Sequence, residues 1–219
     1  MHSCVKGRYG SPRIRAALKE RGERVSRKRV SRLMRENQLF SKVKRKYKTT
    51  IDSGHNLSIA PNLLKQNFTT DAPNRIWVAD ITYIWSGEGW PVSDRISRYL
   101  VINAFLKAYW ARKPKPGLIH HSDRGSQYAS KDFQKLLANA QAKCSISGKG
   151  NCYDNAVARS FFNSLETEAI KGQFFKTKQE AKDAIFEYIE AFYNTVRMHS
   201  TLNYCSPANF EQYFTTKVS

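Results

Sequence analysis

The sequence predicts an α/β core preceded by a small helical region. Three observations carry this: two short helix-period segments crowded with cations near the N-terminus; two aspartates, Asp80 and Asp123, each in or at the end of an apolar, strand-like run; and alternating helix, strand and helix signals after the second of them.

At 219 residues the chain has room for a small domain and a medium one. Hydrophobic residues at 41% and aromatics at 12% supply a core and exclude a wholly disordered chain. The 37 Lys and Arg against 18 Asp and Glu give a net charge of +19. Residues 1 to 50 alone hold 17 of those cations against Glu20, Glu23 and Glu36, a local +14. Charge so concentrated points to a polyanionic partner, because neutralising phosphates releases counterions; the alternative is a basic surface that serves solubility alone. The four cysteines, Cys4, Cys144, Cys152 and Cys205, form no C-x-x-C pair and have no histidine at zinc-finger spacing, so they are expected to be reduced thiols in a cytosolic protein. The longest apolar run, near residues 100 to 110, is interrupted by Asn103 and Lys107; neither an export leader nor a membrane span is expected.

The first helix is expected over residues 12 to 21: Ser11-Pro12 opens it, Ile14, Ala17 and Leu18 share a face, and Gly22 stops it. Ser26 then caps a second helix with Val30, Leu33 and Met34 on one side and Arg27, Lys28, Arg29, Arg32 and Arg35 on the other. Two short helices with a tight join suggest a helix-turn-helix whose basic second helix lies on DNA; an ordinary solvated hairpin is the other reading. Residues 42 to 48 contain Lys42, Lys44, Arg45, Lys46 and Lys48 and read as a flexible phosphate-binding stretch. The organisation expected is a basic DNA-binding region over 1–48, a linker over 49–73, in which Leu63 and Leu64 are the residues able to dock, and a core over 74–219.

Residues 75 to 85 are rich in β-branched and aromatic side chains around Asp80 and read as a buried strand with an acid in it, which needs a cation beside it. Residues 117 to 120 form a second strand, and Asp123 stands where it ends and a glycine turn begins, the position at which ligands gather on such sheets. A helix over 130 to 139, a strand over 142 to 147 and a helix over 155 to 170 follow. Near the C-terminus, Ala181, Ala184, Ile185, Tyr188, Ile189 and Phe192 mark a core-packing helix over 178 to 193.

Four stretches in this order, VADITYIW, HHSDRGSQYAS, GKGNCYDNAVARSFF and YNTVRMHSTLNYCSPANFE, resemble the second-reading-frame transposases of the bacterial insertion-sequence-three family, kin of retroviral integrases, over residues 9 to 210. The resemblance implies a ribonuclease-H-like mixed sheet flanked by helices, with three acids holding two Mg²⁺ ions for DNA end cleavage and strand transfer. It matches Asp80 and Asp123 to the first two acids. Its partners are double-stranded DNA, at transposon ends and target, and further copies of the same chain, in the bacterial cytoplasm at the nucleoid.

Two departures stand against that pattern. The family's glutamate falls at position 159, thirty-six residues after Asp123, and here that residue is Arg159. A guanidinium stays protonated and donates only, so it removes an oxygen ligand and adds a repulsive charge; Asp154 reads as a helix cap and Glu166 lies two turns away, so neither replaces it. The second departure is a hairpin the family has after the first strand: between Trp90 and residue 98 there is no room for two strands and a turn. Three functions follow from these observations: an active transposase, a non-catalytic DNA-binding remnant or inhibitor of transposition, or a nuclease or RNA-binding protein on the same fold. Catalysis is expected to be impaired. Arg197 and His199 either touch DNA or the active site, or tie a helix to the core.

Overall fold

The computed structural model describes residues 2–42, 58–89 and 97–217. In chain order its main elements are α1 (Ser11–Glu20), α2 (Arg27–Glu36), β1 (Ile76–Val78), α3 (Arg98–Arg112), β2 (Ile119–Ser122), α4 (Lys131–Asn139), β3 (Lys143–Ile146), α5 (Ala156–Leu165), α6 (Lys178–Phe186) and α7 (Pro207–Lys217). A 3-10 turn, Cys152–Asn155, leads into α5, and π-helical turns, Glu166–Ile170 and Glu187–Tyr193, continue α5 and α6. The chain divides into two compact units. One gathers residues 1–46, 164–173 and 183–219, the other residues 47–163 and 174–182.

The second unit is built on a three-stranded parallel sheet in the order β1-β2-β3. Parallel neighbours need crossovers, and α3 and α4 supply them, burying Val101, Phe105, Phe133 and Leu137 against one face. Trp77 and Cys144 pack on the same cluster from the strands. Successive strand residues point to opposite faces, and the adjacent histidines of β2 show it. His120 stands among Phe105, Tyr128 and Phe133, with ring centroids 5.2 to 6.0 Å away. His121 faces the other side, edge-on to Phe68.

That other side is covered by the described part of the stretch read from composition as linker. Leu64 is 5% exposed, whereas Leu63 stays largely in solvent. The Pro61 carbonyl accepts from Ile146 N, and Leu63 N donates to Ser145 Oγ at 2.9 Å. Asn62 makes this possible: its Oδ1 accepts from the Leu64 and Lys65 amides and bends the chain down onto β3.

The strand expected over residues 75 to 85 is a strand only over Ile76–Val78. Among the described residues no strand pairs with the outer edge of β1, and past Asp80 the side chains of Tyr83 and Trp85 are exposed. β-propensity describes how a side chain fits a half-buried pleated surface, and without a neighbouring strand that surface does not exist here. The sheet is correspondingly parallel throughout its described strands rather than mixed. Residues 90 to 96, where the missing hairpin was expected, lie outside the described residues.

His120 is 5% exposed, and its Nδ1 has no hydrogen-bond partner among the described residues. Burial, then the neighbouring His121, lowers its pKa to about 4. The unfolded chain takes up its proton near pH 6.5 and the folded chain does not. The share of stability that depends on His120 is therefore undiminished above pH 6.5, falls by about 1.4 kcal/mol per pH unit down to pH 4, and is flat below it, while His121 and His199, whose pKa values burial also lowers, add slopes of their own. His120→Leu is expected to remove this slope and to raise the neutral-pH melting temperature, because an unpartnered polar atom gives way to apolar surface. Thermal unfolding of both forms at pH 7 and pH 5 measures it; equal pH slopes would refute the assignment.

In the first unit, α1 and α2 form the short-linked pair expected. Ser26 Oγ accepts from Arg29 N at 3.1 Å as the cap of α2. Ile14, Ala17 and Val30 are buried, while Leu33, expected on the apolar face, is 43% exposed.

Candidate active site

The two aspartates leave adjacent parallel strands at equivalent heights. Val78 is paired with His121, and the Ala79 amide donates to the His121 carbonyl at 2.8 Å; Asp80 and Asp123 each follow two residues later, just past the ends of β1 and β2. Both are half-buried. Asp80 Oδ1 accepts from the Ile81 amide at 2.8 Å, and Asp123 Oδ1 accepts from the Gly125 amide at 2.9 Å. A Cβ on Gly125 would lie 2.9 Å from Gln127 Oε1 and 3.1 Å from Asp123 Oδ1, so any larger residue there would have to displace both side chains. The phenol of Tyr128, 3% exposed, registers both acids: its pKa is raised first by burial and then by the charges of Asp123 and Asp80.

Position 159 approaches from α5. Asn155 donates through Nδ2 to the Ala79 carbonyl at 3.1 Å, pinning the start of the helix beside the residue that precedes Asp80. Arg159 lies one turn further on, at the i,i+4 position that shares a helix face, and is half-buried. Two of the three sequence-identified residues thus follow the ends of neighbouring strands, and the third sits on the helix whose start is fastened to Ala79.

Behind this site lies a buried polar network that sequence reasoning missed. Asp154 is 2% exposed. Its Oδ1 accepts from Asn151 Nδ2 at 2.9 Å and Gln66 Nε2 at 3.2 Å, and its Oδ2 from Gly148 N at 2.7 Å and Asn62 Nδ2 at 2.9 Å. It is therefore a tie between the 62–66 segment and the loop before α5, more than the helix cap expected. His121, fully buried, has Nε2 2.8 Å from the Asp154 carbonyl and Nδ1 2.7 Å from Ser145 Oγ. A carbonyl only accepts, so Nε2 carries the proton and Nδ1 accepts from the serine. Burial lowers the His121 pKa, and the bond to Asp154 opposes it. The signal available in sequence was the run of Asn and Asp at 151 to 155, whose side chains suit turns.

The cations of α2, Arg27, Lys28, Arg29, Arg32 and Arg35, are all exposed, with Arg32 3.6 Å from Glu36. Lys42 is exposed as well, and its Nζ donates to the Glu168 carbonyl at 2.9 Å. Lys44, Arg45, Lys46 and Lys48 lie outside the described residues. No helix among the described residues is long and apolar enough to cross a membrane.

Comparison with known proteins places these features in a family. Residues 1–47 match the model of an HTH-like domain, and residues 70–152 and 159–213 match models of the integrase core domain. The transposase for insertion sequence element IS904 of Lactococcus lactis is 43% identical, over 95% of this chain and 89% of its own length. The chain belongs to the IS3-type insertion-sequence transposases. Transposase InsF for insertion sequence IS3A of Escherichia coli is 37% identical over 94% of this chain and 77% of its own. A 31 kDa protein of insertion element IS600 from Shigella sonnei is 41% identical over 96% and 84%.

Alignment of this IS3-type chain to the IS600 protein runs over 228 positions but takes in 96% of 219 residues, about 210, so about 18 positions of that relative have no counterpart here. Among solved structures, a simian T-cell lymphotropic virus intasome in complex with a PP2A regulatory subunit shares the fold, with TM-score 0.51 and 15% identity over 96% of this chain and 72% of that one.

Proposed function

We propose that this IS3-type chain binds double-stranded DNA at transposon ends and target, as an oligomer of its own copies in the bacterial cytoplasm, and that its cleavage and strand-transfer step is blocked at position 159. One observation carries the block: the helix whose Asn155 is fastened beside Asp80 presents Arg159 where the family places a glutamate.

The family implies divalent metal ions at this site. Asp80 and Asp123 offer the hard carboxylate oxygens that Mg²⁺ prefers, but the third position offers a guanidinium, and among the described residues no three His, Cys, Asp or Glu side chains gather to hold a metal. The donor set does not complete a two-ion site. What the chain's residues do supply is charge for DNA: the exposed cations of α2 support phosphate contact, and Arg159 supports neutralisation of the aspartate pair by the protein itself. Such a chain, joining active relatives on their ends, would act as an inhibitor of transposition.

Incubation with labelled element ends and Mg²⁺ or Mn²⁺ tests the block: binding without cleavage is expected, and cleavage by the unaltered chain would refute it. The DNA interface is tested through salt. Affinity for duplex DNA is expected to fall steeply with ionic strength, and replacing Arg27, Lys28, Arg29 and Arg32 with alanine is expected to flatten the log–log slope by roughly 3 to 4, about 0.9 for each phosphate no longer neutralised. An unchanged slope would remove α2 from the interface.

A further inference from the structure

The first unit holds a buried ionic node. Glu168 is 5% exposed and Arg197 4%. Arg197 grips the carboxylate with two nitrogens, Nη2 2.6 Å from Oε1 and Nε 2.9 Å from Oε2. Its other partners are Ser164 Oγ at 3.0 Å and His199 Nε2 at 3.2 Å. Tyr188 donates its hydroxyl to Oε2 at 2.9 Å, and Arg13 Nη1 stands 3.5 Å from Oε1. The main-chain carbonyl of the same glutamate accepts from Arg8 Nε at 3.3 Å and Lys42 Nζ at 2.9 Å.

The N-terminal residues in this node bracket the helix pair: Arg8 precedes α1, Arg13 lies within it, and Lys42 follows α2. A second fastening runs beside it. Tyr9, 2% exposed, donates to the Val196 carbonyl at 3.1 Å and accepts from Met198 N at 2.9 Å. The Arg8 guanidinium lies 4.2 Å from the centre of the Phe192 ring. These side-chain bonds of Arg8, Tyr9, Arg13 and Lys42 join residues 8–42 to residues 164–198.

We infer that the DNA-binding unit of this chain is composite, and that Glu168, gripped by Arg197, is the positioning residue that holds α1 and α2 in the pose in which α2 meets DNA. Buried ion pairs are poor sources of stability compared with apolar packing, and their best-attested use is to select one arrangement. Here the fork of Arg197 fixes the direction of the carboxylate, and the carboxylate fixes Arg13 of α1. The cations of α2 take no part in the node. The inference rests on the reading of α2 as the DNA-facing helix.

The sign of the charge change makes the test sharp. Glu168→Gln adds one positive charge to a chain of +19, so electrostatics alone predicts tighter DNA binding, whereas loss of the pose predicts weaker binding. The full chain, Glu168→Gln, Arg197→Lys and the fourfold alanine variant of α2 are compared by hydrogen exchange and by affinity for a mixed-sequence duplex at fixed salt. For Glu168→Gln, exchange in α1 and α2 is expected to accelerate about tenfold or more, with β2, β3 and α4 unchanged, and affinity to fall about tenfold. Arg197→Lys, which keeps the charge and loses the fork, is expected to move both in the same direction by less. Unchanged exchange in α1 and α2, equal acceleration in both units, or tighter DNA binding by Glu168→Gln would each overturn the composite unit. An α2 variant that binds as tightly as the unaltered chain would instead overturn the reading of α2, whatever the exchange shows.

Discussion

Placing a carboxylate at position 159 is expected to make the thermal stability of this chain depend on divalent metal. Asp80 and Asp123 each stand two residues beyond the paired Val78 and His121 of neighbouring strands, and Asn155 holds the start of the helix of residue 159 to the Ala79 carbonyl. With arginine there, the proposed site carries two negative charges and one positive, and the unaltered chain is expected to melt at the same temperature with and without Mg²⁺ or Mn²⁺. Arg159→Glu brings a third negative charge to the pair. Like charges a few ångströms apart at an effective dielectric near 20 repel by several kcal/mol before relaxation, so a net loss of about 2 kcal/mol, or roughly 4 to 8 °C for a chain of this length, is expected without metal. Metal binding only to the folded state returns that stability in proportion to the logarithm of its concentration. Regained end cleavage in the same variant would further separate a missing ligand from a site lost with the hairpin. The opposite result, a metal-induced rise in the unaltered chain that Asp80→Asn abolishes, would show that two aspartates suffice and that Arg159 is no block.

Local signals were legible wherever a side chain bonds its own neighbourhood. Ser26 caps α2 as a serine before an apolar-periodic run should, and Asp123 sits at the strand end where the glycine turn placed it. What depended on distant partners was not legible. Helix α3 is apolar around much of its circumference, with Tyr99 and Trp110 exposed beside buried Val101 and Phe105, so its run shows no helical period to read. Glu168 looks in sequence like a solvent-facing acid on an amphipathic helix, and its burial is explained by Arg197, twenty-nine residues on, together with Tyr188 and Arg13. The stretch after residue 58 has a loop's composition because its backbone turns through Asn62, yet that turn is what brings Leu64 onto the sheet.

The same distinction separates two aspartates of the second unit, and mutation is expected to expose it. Asp154→Ala removes the acceptor of four hydrogen bonds at once and leaves Gly148 N and the half-buried amides of Asn62 and Asn151 facing a void, while the exposed Gln66 turns to solvent. Each bond to a charged acceptor contributes about 1.5 to 3 kcal/mol, and an orphaned buried donor costs about 1 to 3; because the four share one group and one void they will not add, and a loss of about 4 kcal/mol is expected. The loss should be felt at β2 as well, since the Asp154 carbonyl holds His121. Asp123→Ala, by contrast, removes a half-buried carboxylate with a single turn bond to Gly125. The net change is expected to stay within about 1 kcal/mol. Urea unfolding of the two variants compares them on one scale. If Asp123→Ala proved the more damaging, or Asp154→Ala cost under about 1 kcal/mol, the 62–66 segment would owe its place to Leu64 alone, and the carboxylate behind the candidate site would not be what holds it together.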